Sequence, residues 1–218
     1  MDSRHDPELI RSYDLVAAEY AAQLAGELAH KPFDREWLDR FAARLRGRGP
    51  VCDVGCGPGH VAGYLHARGV DVLGIDISPG MVEVARRLHP EIAFRTGDMC
   101  ALDVEDGAWA GIAAFYAIVH LRLADVTPAL RELHRALQSD GLLFLAFHAG
   151  SEVVHRDELF GQPVQLDFHL FEQGDIEAAL VDAGFDILES AVRPPYPDVE
   201  YPSHRAYIVA QVRRSART

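Results

Sequence analysis

The chain has 218 residues, a formal charge of −12 at pH 7, and 49% hydrophobic against 25% charged residues. That balance excludes a chain disordered throughout, and the length fits one large domain at about 150 residues per domain. The acidic total counts against a protein that works along phosphate backbones, which are bound mainly through Lys and Arg, so no nucleic-acid partner is expected.

The longest apolar run, Trp109–Val119, is well short of the roughly 20 residues of a membrane span. The start, Met1 to Glu8, is polar and acidic, unlike a secretory leader. No membrane association and a cytoplasmic location are therefore expected. Cys52, Cys56 and Cys100 form no C-x-x-C pair, which fits free thiols in a reducing compartment.

Leu9, Tyr13, Val16, Ala17, Tyr20 and Leu24 recur every three or four residues and predict a helix over 8–28. Phe33, Trp37, Leu38, Phe41 and Leu45 predict a second over 33–45, ended by Gly47-Arg48-Gly49-Pro50. Short apolar runs then alternate with helix-length segments. Strands are predicted at 51–54, 70–75, 92–95, 110–118, 142–148, 185–192 and 207–212, and helices at 61–67, 80–88, 125–138 and 175–183. Such alternation implies a mainly parallel sheet with right-handed crossovers, covered on both faces. The last two strands have no helix between them and are expected to pair antiparallel. Residues 149–171 are too many for a simple connection and are expected to form a substrate loop. The chain thus divides into a helical cap (1–48), a cofactor-binding half (49–148), and a substrate loop with C-terminal hairpin (149–218) of a single domain, 1–218.

The most informative stretch is Val51-Cys52-Asp53-Val54-Gly55-Cys56-Gly57-Pro58-Gly59-His60. An apolar strand ends in three glycines at alternate positions, and a helix follows at once. Glycines there let the backbone turn sharply and approach a ligand, and the helix N-terminus adds a weak positive end. Asp76 closes the second predicted strand, where a carboxylate can accept both hydroxyls of a ribose. Gly97-Asp98-Met99 closes the third, placing a carboxylate and an apolar side chain where an adenine edge and face could rest. Together these describe an adenosine pocket along the carboxyl ends of a parallel sheet.

A nicotinamide dinucleotide fingerprint, G-x-G-x-x-G, would need a third glycine at position 60, which is His60. The G-x-G-x-G pattern of Gly55, Gly57 and Gly59, with Gly74-Ile75-Asp76-Ile77-Ser78-Pro79-Gly80-Met81 and Gly97-Asp98, resembles the class I S-adenosylmethionine-dependent methyltransferases, over about Tyr13 to Ala210. The resemblance implies a Rossmann-like α/β three-layer sandwich. Its seven-stranded, mainly parallel sheet would have the order 3-2-1-4-5-7-6 with the last strand antiparallel, under an N-terminal helical cover. It also implies that Gly55, Gly57 and Gly59 lie against the methionine and ribose portions of S-adenosyl-L-methionine. Asp53 would anchor the amino-acid end, Asp76 the ribose, and Ile77 and Met81 the adenine faces. Asp98 and Met99 would meet the adenine edge and face, and Phe115 and Ala117 line the methionine tail. The product would be S-adenosyl-L-homocysteine.

Methyl transfer needs alignment and, for an acceptor with a proton to lose, a base. The fourth strand ends Phe115-Tyr116-Ala117-Ile118-Val119-His120-Leu121. Relatives that methylate amino groups of nucleic-acid bases or of glutamine read Asn/Asp-Pro-Pro-Tyr/Phe there, and this chain does not. His120 is the first candidate for a base or substrate contact, with a loop-fixing role as the alternative. His148, at the end of the fifth strand on the same rim, is the second. Tyr20 and Tyr116 are candidate substrate contacts, and Tyr13 a candidate cofactor contact. Tyr13 and Tyr20 share a helical face over the pocket, although packing alone explains their spacing. His155 and His169, with Asp157, Glu158 and Asp167, lack metal-ligand spacing, and no metal is expected. Lys31 reads as exposed surface charge, with an anionic substrate as the alternative.

The expected activity is methyl transfer from S-adenosylmethionine to oxygen or nitrogen of a small organic acceptor, in specialised metabolism. A nicotinamide-dependent oxidoreductase and a non-catalytic cofactor-binding partner remain the alternatives. The acceptor and the oligomeric state are not legible.

Overall fold

The computed structural model describes residues 7–213. The apolar strand runs pair in the order β3-β2-β1-β4-β5-β9-β8. Here β1 is Val51–Val54, β2 Val72–Asp76, β3 Ala93–Thr96, β4 Trp109–Phe115, β5 Leu137–Ala149, β8 Phe185–Arg193 and β9 His204–Val212. The first five strands are parallel, and β9 runs antiparallel to both β5 and β8. This is the expected order, because the two extra strands, β6 (Val153–Leu159) and β7 (Gln162–His169), form a separate antiparallel pair.

Among the described residues there are six α-helices, α1 (Pro7–Leu24), α2 (Pro32–Leu45), α3 (His60–His66), α4 (Pro79–Leu88), α5 (Leu123–Ala136) and α6 (Gln173–Asp182), of which α1 lies on α4 and the β6–β7 pair. The period-2 alternation of each strand decides which helices it meets. On β5, Leu143, Leu145 and Phe147 pack with Val126, Leu130 and Leu133 of α5 and Ile176 and Leu180 of α6. The intervening Leu142, Phe144 and Ala146 pack with Trp37, Leu38 and Phe41 of α2 and Val61 and Leu65 of α3. With both faces covered, β4 is buried along its whole length, which is why it reads as an apolar run without alternation.

Three predicted elements are corrected. The helix over 8–28 stops at Leu24, and a 3-10 turn, Glu27–His30, follows Gly26, a residue with low helix propensity. The fourth strand ends at Phe115, not 118, because Tyr116 takes a left-handed conformation, φ 53°, and a 3-10 turn covers Ile118–His120. The expected substrate loop is the β6–β7 hairpin. Its inner face carries Val164 and Leu166, which pack with Val16, Ala17 and Ala21 of α1 and Met81 and Val84 of α4.

Lys31 is buried rather than exposed. It lies 2.7 Å from Glu27 and 3.5 Å from Glu200, in a buried group with Asp34, Arg193 and Arg205. Unpaired, each of these charges would be costly to bury. No described helix is long and apolar enough to cross a membrane.

Candidate cofactor and acceptor site

A cavity of about 600 Å³ opens over the carboxyl ends of β1, β2 and β4, beneath α1 and the β6–β7 hairpin. Crevices at these strand ends, where the strand order reverses, are where open α/β sheets bind ligands. Its floor is the turn after β1. Gly55 has φ 67°, and a Cβ on it would lie 2.5 Å from Cβ of Ala117, so only glycine lets the two loops meet. Gly57, φ 51°, has 4.0 Å between an added Cβ and Tyr20. That leaves open space beside its backbone.

Asp76 is buried at the tip of β2. Its carboxylate accepts the Gly57 N–H at 2.8 Å and the Ser78 N–H at 2.9 Å. Burial pushes its pKa up, while the Ser78 and Gly57 amides pull it back. Each oxygen keeps acceptor capacity after these bonds. Ile77 and Met81 follow on the cavity wall, and Asp98, Met99, Phe115 and Ala117 complete that half of the lining.

Tyr13, Tyr20, Tyr116 and His120 line the other half, with Glu27 and His60. Tyr13 donates to His120 Nε2 at 2.6 Å, and Nδ1 of the same ring lies 2.8 Å from the Asp167 carbonyl. A carbonyl can only accept, so Nδ1 carries a hydrogen, and in a neutral ring Nε2 then offers its lone pair. Glu27 Oε1 lies 3.2 Å from His60 Nε2. Burial alone would raise the Glu27 carboxyl, but the His60 hydrogen bond and the His60 and Lys31 charges hold it down to about 2.

The cover is tied down by polar contacts. Asp14 of α1 accepts the hydroxyl of Ser78, the N-cap of α4, at 2.6 Å and the Gly80 N–H, an orphan donor of its first turn, at 2.7 Å. Ser12 accepts the Gln165 N–H of β7 at 3.1 Å.

Three expected site residues stand away from the lining. Asp53 lies beneath the turn, where its carboxylate accepts the Ala62 N–H of α3 at 2.9 Å, and burial pushes it up to about 7. Gly59 packs on Phe94, whose Cζ would sit 2.7 Å from an added Cβ. His148 lies behind Tyr116, with ring centroids 4.9 Å apart, and its Nδ1 is 2.8 Å from Ser203 Oγ. Burial, then the Arg205 and Lys31 charges, push its pKa down to about 3, so the ring is neutral. These positions place Asp53 and Gly59 under the turn and His148 outside the cavity lining.

Sequence reasoning missed Asp14, Ser12, Glu27 and Gln165. Their places depend on how α1 and the hairpin dock, for which no local pattern exists. His60 stood out only as the residue that breaks the dinucleotide fingerprint. Of the remaining candidates, His169 joins the lining and His155 pairs with Asp167 at 2.7 Å on the exposed hairpin. Among the described residues no cluster of His, Cys, Asp and Glu could hold a metal ion.

Sheet order, glycine turn and Asp76 together give an open α/β sheet with a nucleoside-sized crevice at its carboxyl edge. Residues 51–141 match the model of the methyltransferase domain family. A demethylmenaquinone methyltransferase of Beutenbergia cavernae is 33% identical over 141 residues, covering 62% of this chain and 55% of that protein. A crystal structure of a SAM-dependent methyltransferase from Methanosarcina mazei superposes with a TM-score of 0.69 at 16% identity, covering 76% of this chain and 93% of that one. The cyclase SpnF superposes with a TM-score of 0.61 at 20% identity, covering 82% and 80%. The chain spans about half the length of the curated relatives it matches. The chain is thus similar to methyltransferases over its central region and shares their α/β fold.

The cavity fits that family's cofactor. It is large enough for a nucleoside, offers the Asp76 carboxylate at the end of β2, and exposes glycine backbone beside it.

Proposed function

We propose that this protein transfers a methyl group from S-adenosylmethionine to oxygen or nitrogen of a small organic acceptor. The observation that carries the reading is Asp76, held by Gly57 and Ser78 at the wall of a cavity with a glycine floor and a tyrosine-rich roof. When bound, the cofactor supplies an electrophilic methyl group. In this reading Asp76 holds the ribose hydroxyls, and Ile77, Met81, Asp98 and Met99 enclose the adenine. Gly55, Gly57, Phe115 and Ala117 border the methionine chain. Tyr20 and Tyr116 face the acceptor, and His120 is the base.

The cover excludes water and orients the acceptor, and such alignment is worth about 7–11 kcal/mol in well-oriented model systems. The enclosed space suits a small molecule rather than a polymer, and the net charge of −12 disfavours nucleic acid. A cytoplasmic setting and a role in specialised metabolism belong to the same reading.

Because a cyclase shares the fold, binding alone does not decide the activity. Calorimetry with S-adenosylmethionine and S-adenosylhomocysteine tests the site, and mass-spectrometric detection of methylated product from a panel of phenols, amines and carboxylic acids tests the reaction. Failure of both ligands to bind at millimolar concentration would end the reading. Binding without any transfer would reassign the protein as a cofactor-binding partner.

A further inference from the structure

Three segments far apart in the chain converge on one imidazole. Tyr13 comes from α1, His120 from the 3-10 turn beyond β4, and Asp167 from β7. The Asp167 carbonyl fixes the hydrogen on Nδ1, so the Nε2 lone pair meets the Tyr13 hydroxyl at 2.6 Å. The His120 ring is also packed edge-on by Tyr13 and tilted against Phe168, with centroids 5.3 and 4.8 Å away. A ring held on both nitrogens and by two aromatic neighbours is set in one tautomer and one orientation.

Resting on the methyl-transfer reading above, we propose that Tyr13 and His120 form a proton relay and that the acceptor is a neutral hydroxyl compound, a phenol or an enol. The acceptor O–H bond breaks and its proton passes to Tyr13 Oη, while the Tyr13 proton passes to His120 Nε2. Tyr13 is left as a phenol and His120 as an imidazolium. The oxygen's electron pair forms the new bond to the methyl carbon as the carbon–sulfur bond breaks towards sulfur. The positive charge of the sulfonium is thereby replaced by that of the imidazolium. Burial, with Tyr20 and Asp76 nearby, pushes the Tyr13 phenol well up, so it hands protons on rather than ionising itself.

The relay distinguishes acceptor classes. A carboxylate is already ionised at neutral pH and has no proton to give. A neutral amine attacks with its lone pair and sheds its proton afterwards. A phenol, with an ordinary pKa of about 10, is a poor nucleophile until the proton leaves. Only for it does a base in the transition state contribute the usual ~10²–10⁴-fold. The charges around the cavity agree with this. Glu27, Asp76, Asp98 and Asp167 line it, against Arg122 among the described residues, and Arg122 lies 2.7 Å from Asp125. Lys31, 2.7 Å from Glu27, offsets that carboxylate, and the field of the remaining carboxylates favours an imidazolium and disfavours entry of a further carboxylate.

The test uses the full-length protein and the Tyr13→Phe and His120→Gln variants. Calorimetry with S-adenosylhomocysteine comes first, since loss of binding by the wild type would sink the methyl-transfer reading itself. Initial rates are then measured on phenols of graded acidity, primary amines and carboxylic acids. The relay requires transfer to phenols, with both variants slower by about 10²–10⁴-fold on weakly acidic ones. It also requires near-wild-type rates on a nitrophenol already ionised at the assay pH, a rescue that mere misfolding would not give. Transfer confined to amines or carboxylic acids overturns the proposal, as does an equal loss on the ionised nitrophenol. Nitrogen NMR of the complex with S-adenosylhomocysteine checks the relay without turnover. His120 Nε2 must be the unprotonated nitrogen and must shift in Tyr13→Phe, and an Nε2–H tautomer overturns the assignment.

Discussion

Asp76 accepts the backbone N–H of Gly57 at 2.8 Å. The residue that ends β2 therefore holds the turn that leaves β1, and in the proposed reading the same carboxylate also takes the ribose. Asp76→Ala would remove both roles at once, so Asp76→Asn is the more informative change. An amide oxygen still accepts one backbone N–H, but the charge is gone. Its affinity for S-adenosylhomocysteine is expected to fall about 10–100-fold, the worth of one charge-assisted hydrogen bond. Calorimetry that finds unchanged affinity would reject the ribose assignment.

Gly55 and Gly57 are expected to fail differently when changed to alanine. At Gly55 the new Cβ would meet Ala117 at 2.5 Å in a left-handed backbone, so the loss is of stability, about 1–3 kcal/mol or more from overpacking. At Gly57 the nearest atom is 4.0 Å away, and the Cβ takes up ligand space. Its stability cost is confined to backbone strain of about 1–2 kcal/mol. Paired thermal melts and binding titrations check this. Binding loss in Gly57→Ala no larger than in a surface control would remove the turn from the ligand site.

Asp14 joins α1 to the start of α4 through Ser78 and Gly80. Asp14→Ala removes an acceptor from the α4 N-terminus, a change that costs about 0.5–2 kcal/mol at helix caps. It is expected to loosen α1 without melting the sheet. Hydrogen exchange should quicken in α1 and α4 while β4 and β5 stay protected. Uniform acceleration across the molecule would contradict a local cover.

Glu200 is the shared anion of the buried ionic group. Its side chain accepts from Arg193 at 2.6 and 2.8 Å and from the Tyr196 N–H at 2.8 Å, and it lies 3.5 Å from Lys31. Glu200→Gln leaves buried cations uncompensated and should cost about 3–5 kcal/mol, read from urea midpoints. Burial would raise the Glu200 carboxyl, but Arg193, the Tyr196 amide, Arg205 and Lys31 hold it at about 2, below the ordinary 4.5, and Glu27 is held at about 2 likewise. Since the folded pKa values are depressed, the stabilisation is complete above pH 4.5 and is lost as the pH falls towards 2. Wild-type stability should therefore drop across that window, and Glu200→Gln should drop less steeply. Parallel curves would deny Glu200 its share.

Much of the architecture follows from local pattern. Strand and helix periods, the glycine turn and the acidic strand ends of Asp76 and Asp98 are set by neighbours a few residues away. For these the amino-acid order alone gives the sheet order and the cavity wall formed by Asp76, Ile77, Asp98 and Met99. The β6–β7 hairpin escaped because its inward residues, Val164 and Leu166, alternate over too short a run to be told from a loop. The burial of Lys31 is not legible locally, because Glu200 and Tyr116, which close over it beside the neighbouring Glu27, lie far along the chain.

What the amino-acid order determined was the seven-stranded α/β fold and the strip of turn, carboxylate and apolar side chains on its rim, since backbone sterics and period-2 burial act locally. Tertiary packing alone decided the chemistry over that strip. It brought Tyr13, His120 and the Asp167 carbonyl within hydrogen-bond reach, and it turned His148 away to Ser203. Hydrogen bonds act over about 3 Å of space, whatever the separation of their partners along the chain.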